Sequence, residues 1–124
     1  MVSTEKFISI LSKNQINFYT GVPDSCLNNF LNGINNKKKI NIIAPNEGSA
    51  VSLGIGYYLR TKKIPLVYMQ NSGIGNATDP LTSLCPKESY SIPMMLLIGW
   101  RGSPNIKDEP QHAMTGRIIL KLLK

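Results

Sequence analysis

Most residues able to do chemistry fall in a few short polar clusters: Gly21-Val22-Pro23-Asp24-Ser25, Asn46-Glu47-Gly48-Ser49-Ala50, Asn71-Ser72-Gly73-Ile74-Gly75-Asn76 and the stretch Trp100–His112. Glu47 follows Asn46, a good helix N-cap, and a first-turn carboxylate complements the helix dipole. That accounts for Glu47 as a favourable local charge. Its surroundings suggest more. Gly48, Ser49, Ala50, Gly54 and Gly56 keep the helix slim, although each glycine costs it ~1 kcal/mol. Such a helix is expected to pack closely against another backbone. A carboxylate at its start is then partly withdrawn from water and suited to sharing a proton. The Gly-rich bend Asn71–Asn76 is either a tight strand-to-helix turn or a place where backbone approaches a ligand. It departs from the dinucleotide fingerprint, with Thr78 at the last glycine position, and lacks the lysine of a phosphate loop. His112, the only histidine, is either structural or a proton-transfer group beside the polar loop Arg101–Asp108. Cys26 and Cys85 have no partner at metal-ligand spacing, so both are expected to be small core residues.

These clusters need elements to hold them. Thr4–Asn14 has Phe7, Ile8, Ile10 and Leu11 at helical spacing behind a Ser3-Thr4 cap. Ile16–Thr20 reads as a strand. Cys26, Leu27, Phe30, Leu31 and Ile34 recur on a second helix that Asp24 or Ser25 can cap. Lys37-Lys38-Lys39 reads as a solvated turn. Strand Ile40–Ala44, helix Glu47 to about Arg60 and strand Pro65–Gln70 follow. A helix from the Gly-rich bend to Leu84 leads to the apolar strand Met94–Trp100, expected to be buried. Glu109–Lys124 closes the chain, with Ile118, Ile119, Leu122 and Leu123 inward. Strands and helices in alternation predict a mostly parallel α/β sheet with helices on both faces. In such sheets ligands sit beyond the carboxyl ends of the strands, where all the polar clusters fall.

With 124 residues, 42% hydrophobic and 17% charged, the chain is expected to form one domain with a packed core. No stretch approaches the ~20 apolar residues of a membrane span, no secretory leader is visible, and two unpaired cysteines suit a reducing cytoplasm. The net charge of +7 raises nucleic acid as a partner, but no helix-turn-helix or aromatic-basic signature accompanies it. Acidic or phosphorylated small molecules explain the charge equally well.

Taken together, Gly21–Ser25, Asn46–Ala50, Gln70–Asn76, Gly99-Trp100-Arg101-Gly102 and Asp108-Glu109-Pro110-Gln111-His112 resemble the pyrimidine-binding (PYR) domain of thiamine-diphosphate decarboxylases. The phosphonopyruvate and sulfopyruvate decarboxylases are the most similar, over nearly the whole chain. The resemblance implies a three-layer α/β/α fold with a mostly parallel sheet and a single PYR domain over 1–124. Relative to that family the fold looks truncated. The sequence has no Gly-Asp-Gly followed by Asn-Asn, with which the family binds magnesium and the diphosphate. The resemblance therefore implies half an active site: a thiamine diphosphate cofactor whose Mg2+ is held by a separate diphosphate-binding domain or subunit, in a homo- or hetero-oligomer. The metal-ligand set of this chain itself is expected to be empty.

By the same resemblance Glu47 bonds N1′ of the cofactor's aminopyrimidine and shares its proton. Gly21, Pro23, Ser72 and Gly73 join it around the cofactor. Asp24 lies in the turn where relatives place an acid group, one residue out of step, and His112 lies where they carry proton-transfer histidines. Asn71 and Arg101 are assigned to the substrate. A guanidinium at Arg101 can hold a phosphonate or sulfonate bidentately, or be an exposed loop arginine. The implied reaction turns 3-phosphonopyruvate into phosphonoacetaldehyde and carbon dioxide. Sulfopyruvate decarboxylation by an alpha subunit and a non-catalytic assembly module are the alternatives. The slim helix from Glu47 and the helix after Asn76 are expected to form an association surface, kept apolar by Val51, Leu53, Ile55 and Tyr58. No nucleic acid and no membrane are expected as partners.

Overall fold

The spacing of Phe7, Ile8 and Leu11 produces α1 (Thr4–Lys13), which buries Ile8 and Leu11. The computed structural model of the protein describes residues 3–37 and 39–124, so Lys38, in the middle of the expected solvated turn, lies outside the described residues. Ser3 precedes α1 in extended conformation, but its side chain makes no capping bond. The helix ends with Gln15 left-handed at φ 62°, and the Ile16 N–H closes onto the Leu11 carbonyl at 2.9 Å. That closure takes Ile16 out of the strand expected there, and β1 spans Phe18–Gly21.

A 3-10 turn, Ser25–Leu27, precedes α2 (Asn28–Asn36). Asp24 caps the turn, its Oδ2 accepting from the Cys26 N–H at 3.2 Å. Cys26 is therefore exposed and is not the core residue expected of it, while Cys85 is half-buried. The chain continues through β2 (Ile40–Ile43), α3 (Glu47–Thr61), β3 (Leu66–Gln70), a 3-10 turn Asn71–Gly73, α4 (Ile74–Ser83) and β4 (Met95–Gly99). A last 3-10 turn, Pro110–His112, leads into α5 (Ala113–Leu122). Asn46 caps α3, its Oδ1 accepting from the Ser49 N–H at 2.9 Å.

All strand pairs are parallel, in the order β2-β1-β3-β4. Side chains alternate across the pleat. Tyr19, Leu66 and Tyr68 pack with Ile8, Leu11, Phe30 and Ile34 on one face. Val67 and Met69 pack with Ala50, Val51, Ile55, Ile74, Ala77 and Ile119 on the other. The result is the three-layer α/β/α sandwich that the alternating pattern predicts. Buried polar groups on the sheet are satisfied: Thr20 Oγ1 donates to the Ile42 carbonyl at 2.8 Å, and the Tyr68 hydroxyl donates to Asn41 Oδ1 at 2.9 Å.

The structure corrects several expectations of burial. β4 pairs only with β3, and as an edge strand it is half-buried up to Gly99 rather than fully enclosed. In α5 Gly116 and Ile119 are buried and Ile118 is half-buried, whereas Leu122 and Leu123 are exposed at 58% and 47%. The helix meets the sheet through its early turns only. On α3 Val51 and Ile55 belong to the core, and Leu53 alone among the four apolar residues expected to be outward is exposed. β2 keeps Ile40, Ile42 and Ile43 exposed. No helix among the described residues is long and apolar enough to cross a membrane.

Close backbone approach accounts for the slimness of α3 in part. A side chain at Gly48 would come within 2.8 Å of the Asn76 carbonyl, which Pro80 cannot occupy because proline has no N–H to donate to it. Gly54 faces Met94 and Val67, but Gly56 faces open space. At the end of β1, a side chain on Gly21 would run into the Tyr68 carbonyl. Gly21→Ala is therefore expected to destabilise the fold by about 1–3 kcal/mol. Gly56→Ala, in an open helix interior, should be neutral or stabilise by up to about 1 kcal/mol. Urea unfolding of the two variants beside the wild type checks both signs.

Candidate active site

The exits of β1, β2, β3 and β4 lie along one edge of the parallel sheet, and the register sets what meets there. Gln70 pairs with Gly99, so the segments after β3 and β4 leave side by side. Asn71, at the first position beyond β3, is only 2% exposed. Its Nδ2 donates to the Arg101 carbonyl at 2.8 Å, and its Oδ1 accepts from the Arg101 N–H at 3.3 Å. Both halves of the amide are spent on the backbone of Arg101.

The Arg101 side chain then reaches across the sheet edge. Nη2 is ion-paired with Asp108 Oδ1 at 2.9 Å, and Nη1 donates to Ser25 Oγ at 3.0 Å in the β1–α2 turn. The Cys26 sulfur lies 3.9 Å from the same Nη1. Nε is buried and has no partner among the described residues. Asp108 is bonded further: Oδ2 accepts from the Gly102 N–H and Oδ1 from the Glu109 N–H, both at 2.8 Å. The Gly102 N–H foremost, then the Glu109 N–H, hold the Asp108 carboxyl below the usual carboxylate range; burial opposes them, and the nearby Arg101 charge adds a lesser lowering effect. Gly102 is left-handed at φ 64° and lies against the His112 carbonyl, and Gly116 of α5 faces the Gly102 carbonyl. With Trp100 Nε1 donating to the Gly116 carbonyl at 2.9 Å, these contacts seat the loop on α5 and place His112, half-buried, at its N-terminus.

Glu47 forms a second cluster. It is half-buried, and its Oε2 accepts from Asn76 Nδ2 at 2.9 Å. Its carboxylate rests on Gly73, where any Cβ would come within 2.5 Å of Oε1. Asp24 is 9% exposed and rests on Gly99 in the same way. Ser72 is exposed, with its Oγ accepting from Gln70 Nε2 at 2.6 Å. Pro23 is exposed beside Asp24, and Gly21 is buried. The structure thus brings Asp24, Ser25, Asn71 and Arg101 into one network and sets Glu47, Gly73 and Asn76 in another, joined through the Asn71–Gly73 turn. Among the described residues no hydrogen bond or ion pair links Glu47 to Asp24, Arg101 or His112. Sequence reasoning gave no role to Asn76 or Asp108. Their signals are modest: an amide just after the glycines of the bend, and a carboxylate one short loop after the only arginine at a strand exit.

Residues 1–121 match the family described as thiamine pyrophosphate enzyme, N-terminal TPP binding domain. The chain belongs to this family. The domain is 35% identical over 124 residues to phosphonopyruvate decarboxylase from Streptomyces viridochromogenes, covering 99% of this chain and 30% of that protein. It is 39% identical over 115 residues to the sulfopyruvate decarboxylase alpha subunit of Methanocaldococcus jannaschii, covering 91% of this chain and 65% of the subunit. The chain therefore spans under a third of the first relative and about two-thirds of the second. Its fold resembles that of a putative thiamin diphosphate-dependent enzyme from Mycobacterium smegmatis, with TM-score 0.71 and 18% identity, over 94% of this chain and 23% of that one.

A pH dependence follows from Asp108. Because its carboxyl is held low in the folded chain, the ionised form favours the fold. That stabilisation is present at neutral pH and is lost as pH falls through the ordinary carboxylate range to the lowered value. Asp108→Asn should melt earlier than wild type at pH 7, and the gap should close on acidification below the usual aspartate range. Thermal melts of both chains from pH 7 down to pH 3 read it.

Proposed function

We propose that this chain is the pyrimidine-binding half of a thiamine-diphosphate-dependent decarboxylase acting on 3-phosphonopyruvate. Family membership supports the cofactor, and one observation carries the site: the half-buried Glu47 carboxylate, held by Asn76 over Gly73, where any Cβ would force the carboxylate to move. An acceptor fixed in this way fits N1′ of an aminopyrimidine, where Glu47 would hold the shared proton. Gly73 and Ser72 from the same turn, with Gly21 and Pro23 from the β1 exit, would complete the cradle. Once bound, thiamine diphosphate supplies the electron sink for the pair released as carbon dioxide leaves.

The chain's own groups would do the rest. The bond between the carbonyl carbon and the carboxylate breaks, a proton takes the place of the lost group, and phosphonoacetaldehyde is the product. Asp24 and His112, on the strand-exit loops, are the groups assigned to that proton. Arg101 is assigned to the phosphonate, and Asn71, whose amide is committed to the Arg101 backbone, would act by placing Arg101. Among the described residues no three His, Cys, Asp or Glu side chains are grouped to hold a metal ion. Mg2+ and the diphosphate are assigned to a partner domain or subunit because the sequence has no Gly-Asp-Gly followed by Asn-Asn.

The trough between α3 and α4, about 930 Å3 and lined in part by Phe18, Ile42, Leu53, Tyr57 and Pro80, is the surface proposed for that partner, in a homo- or hetero-oligomer. Free thiols suit a cytoplasmic setting. The second reading, an alpha subunit for 3-sulfopyruvate, is favoured by identity: the chain is 39% identical to the M. jannaschii subunit and 35% identical to the S. viridochromogenes enzyme.

Coexpression with a diphosphate-binding partner chain, followed by assay of both acids with thiamine diphosphate and magnesium, tests the proposal. Turnover of one acid is expected. Glu47→Gln should lower it about 10²–10⁴-fold with an unchanged circular dichroism spectrum, since the amide keeps the shape but cannot share the proton. No turnover of either acid by a folded complex would leave an assembly module, and near-normal turnover by the Gln variant would return Glu47 to a helix-start charge.

A further inference from the structure

The guanidinium of Arg101 is only half used on one side. Nε and Nη2 point the same way and form the side-on fork that grips an oxyanion with two parallel bonds. Asp108 Oδ1 takes Nη2, but Asp108 Oδ2 turns to the Gly102 N–H, and Nε is left buried without a partner among the described residues. A buried donor without an acceptor is unfavourable, and a planar carboxylate with two oxygens cannot serve Nε, Nη2 and both backbone N–H groups well. A tetrahedral acid with three oxygens can.

We propose that Asp108 is the resident occupant of an acid-group site, and that the phosphonate or sulfonate end of the substrate displaces its carboxylate from Arg101. The incoming group would take Nε and Nη2 together with the Gly102 and Glu109 N–H groups. Two observations make the exchange physical. The Arg101 side chain is 22% exposed, so part of the guanidinium meets solvent, and the buried Nε would open to the incoming group only as the Asp108 carboxylate leaves. Beside it lies a hollow of about 230 Å3 lined by Gly102, Ile106, Asp108, Glu109, Ala113 and Arg117, where the Arg117 cation offsets the Glu109 carboxylate. The lowered Asp108 carboxyl shows that the donors there favour negative charge. Displacing Asp108 would also free the loop whose far end carries His112, coupling recognition of the acid to the position of that group.

The inference rests on the decarboxylase reading for the identity of the acid, but its test does not use turnover. The 15N-labelled chain is titrated with methylphosphonate and, separately, methanesulfonate, following the Arg101 Nε–H and the Gly102 and Glu109 amides. Wild type should shift these resonances at millimolar ligand. Asp108→Asn should bind methylphosphonate about tenfold tighter or more, the equivalent of about 1.4 kcal/mol. Adding Arg101→Gln to Asp108→Asn should abolish the gain. The amide spectrum reports whether each variant is folded. Should Asp108→Asn not fold, the wild-type titration decides alone: unmoved Arg101 and Gly102 signals at saturating ligand overturn the proposal. An Asp108→Asn chain that binds no tighter, or a double variant that keeps the gain, overturns it as well. If the site binds as expected while the coexpressed complex turns over neither acid, the acid site stands and the decarboxylase reading fails.

Discussion

One buried side chain holds both main-chain polar groups of Arg101, and the arrangement of the sheet edge depends on it. The β3–β4 ladder ends at Gln70 and Gly99, where parallel pairing would otherwise leave the next residues to diverge. Asn71 extends the pairing by one more rung, with an amide standing in for a strand. An amide this deeply buried must be satisfied, because leaving either half unpaired costs more than the bond itself contributes. The path of the backbone after β4 is fixed as a result. From that fixed point Arg101 can span to Ser25 on one side and Asp108 on the other, so its guanidinium ties the β1 exit to the β4 exit.

Both acidic residues singled out for chemistry rest on a glycine at a strand exit: Glu47 on Gly73 and Asp24 on Gly99. The pattern is physical. A carboxylate brought to the edge of a parallel sheet must come close to the neighbouring chain, and a Cβ there would push it out into water. Removing that Cβ lets the charge sit half-buried and still be met by a donor, Asn76 for Glu47 and the Cys26 N–H for Asp24. Pro80 contributes to the first of these. Having no N–H, it cannot bond the Asn76 carbonyl, which instead meets the backbone of Gly48, and α3 and α4 close up around the glutamate.

Much of this was legible in the residues. Alternating strand and helix patterns, the Asn46 cap and the glycines flanking Glu47 were enough for the layer architecture and for placing the polar clusters along one edge. What escaped were features set by tertiary contacts. β1 starts at Phe18 rather than Ile16 because Ile16 is used to close α1. Cys26 looked like a core residue by its spacing from Leu27 and Phe30, but a 3-10 turn rotates it outward. Leu122 and Leu123 have the periodicity of a buried face, yet α5 reaches the sheet only through Gly116 and Ile119. The partners of Arg101 lie 76 residues upstream and one loop downstream, and no local pattern encodes that meeting.

The isoleucines of β2 bear on how the protein is kept in a cell. Ile40-Asn41-Ile42-Ile43 is a short β-prone segment at a sheet edge, and its isoleucines are exposed. Such an edge offers unpaired N–H and C=O groups to any similar strand. Asn41, tied to Asn35 and Tyr68, interrupts the apolar run, and the exposed Lys37 stands just before it, both familiar restraints on edge-to-edge pairing. They slow clumping without covering the surface. Pairing between such edges rises with concentration, so the chain stays dispersed more readily when scarce than when abundant.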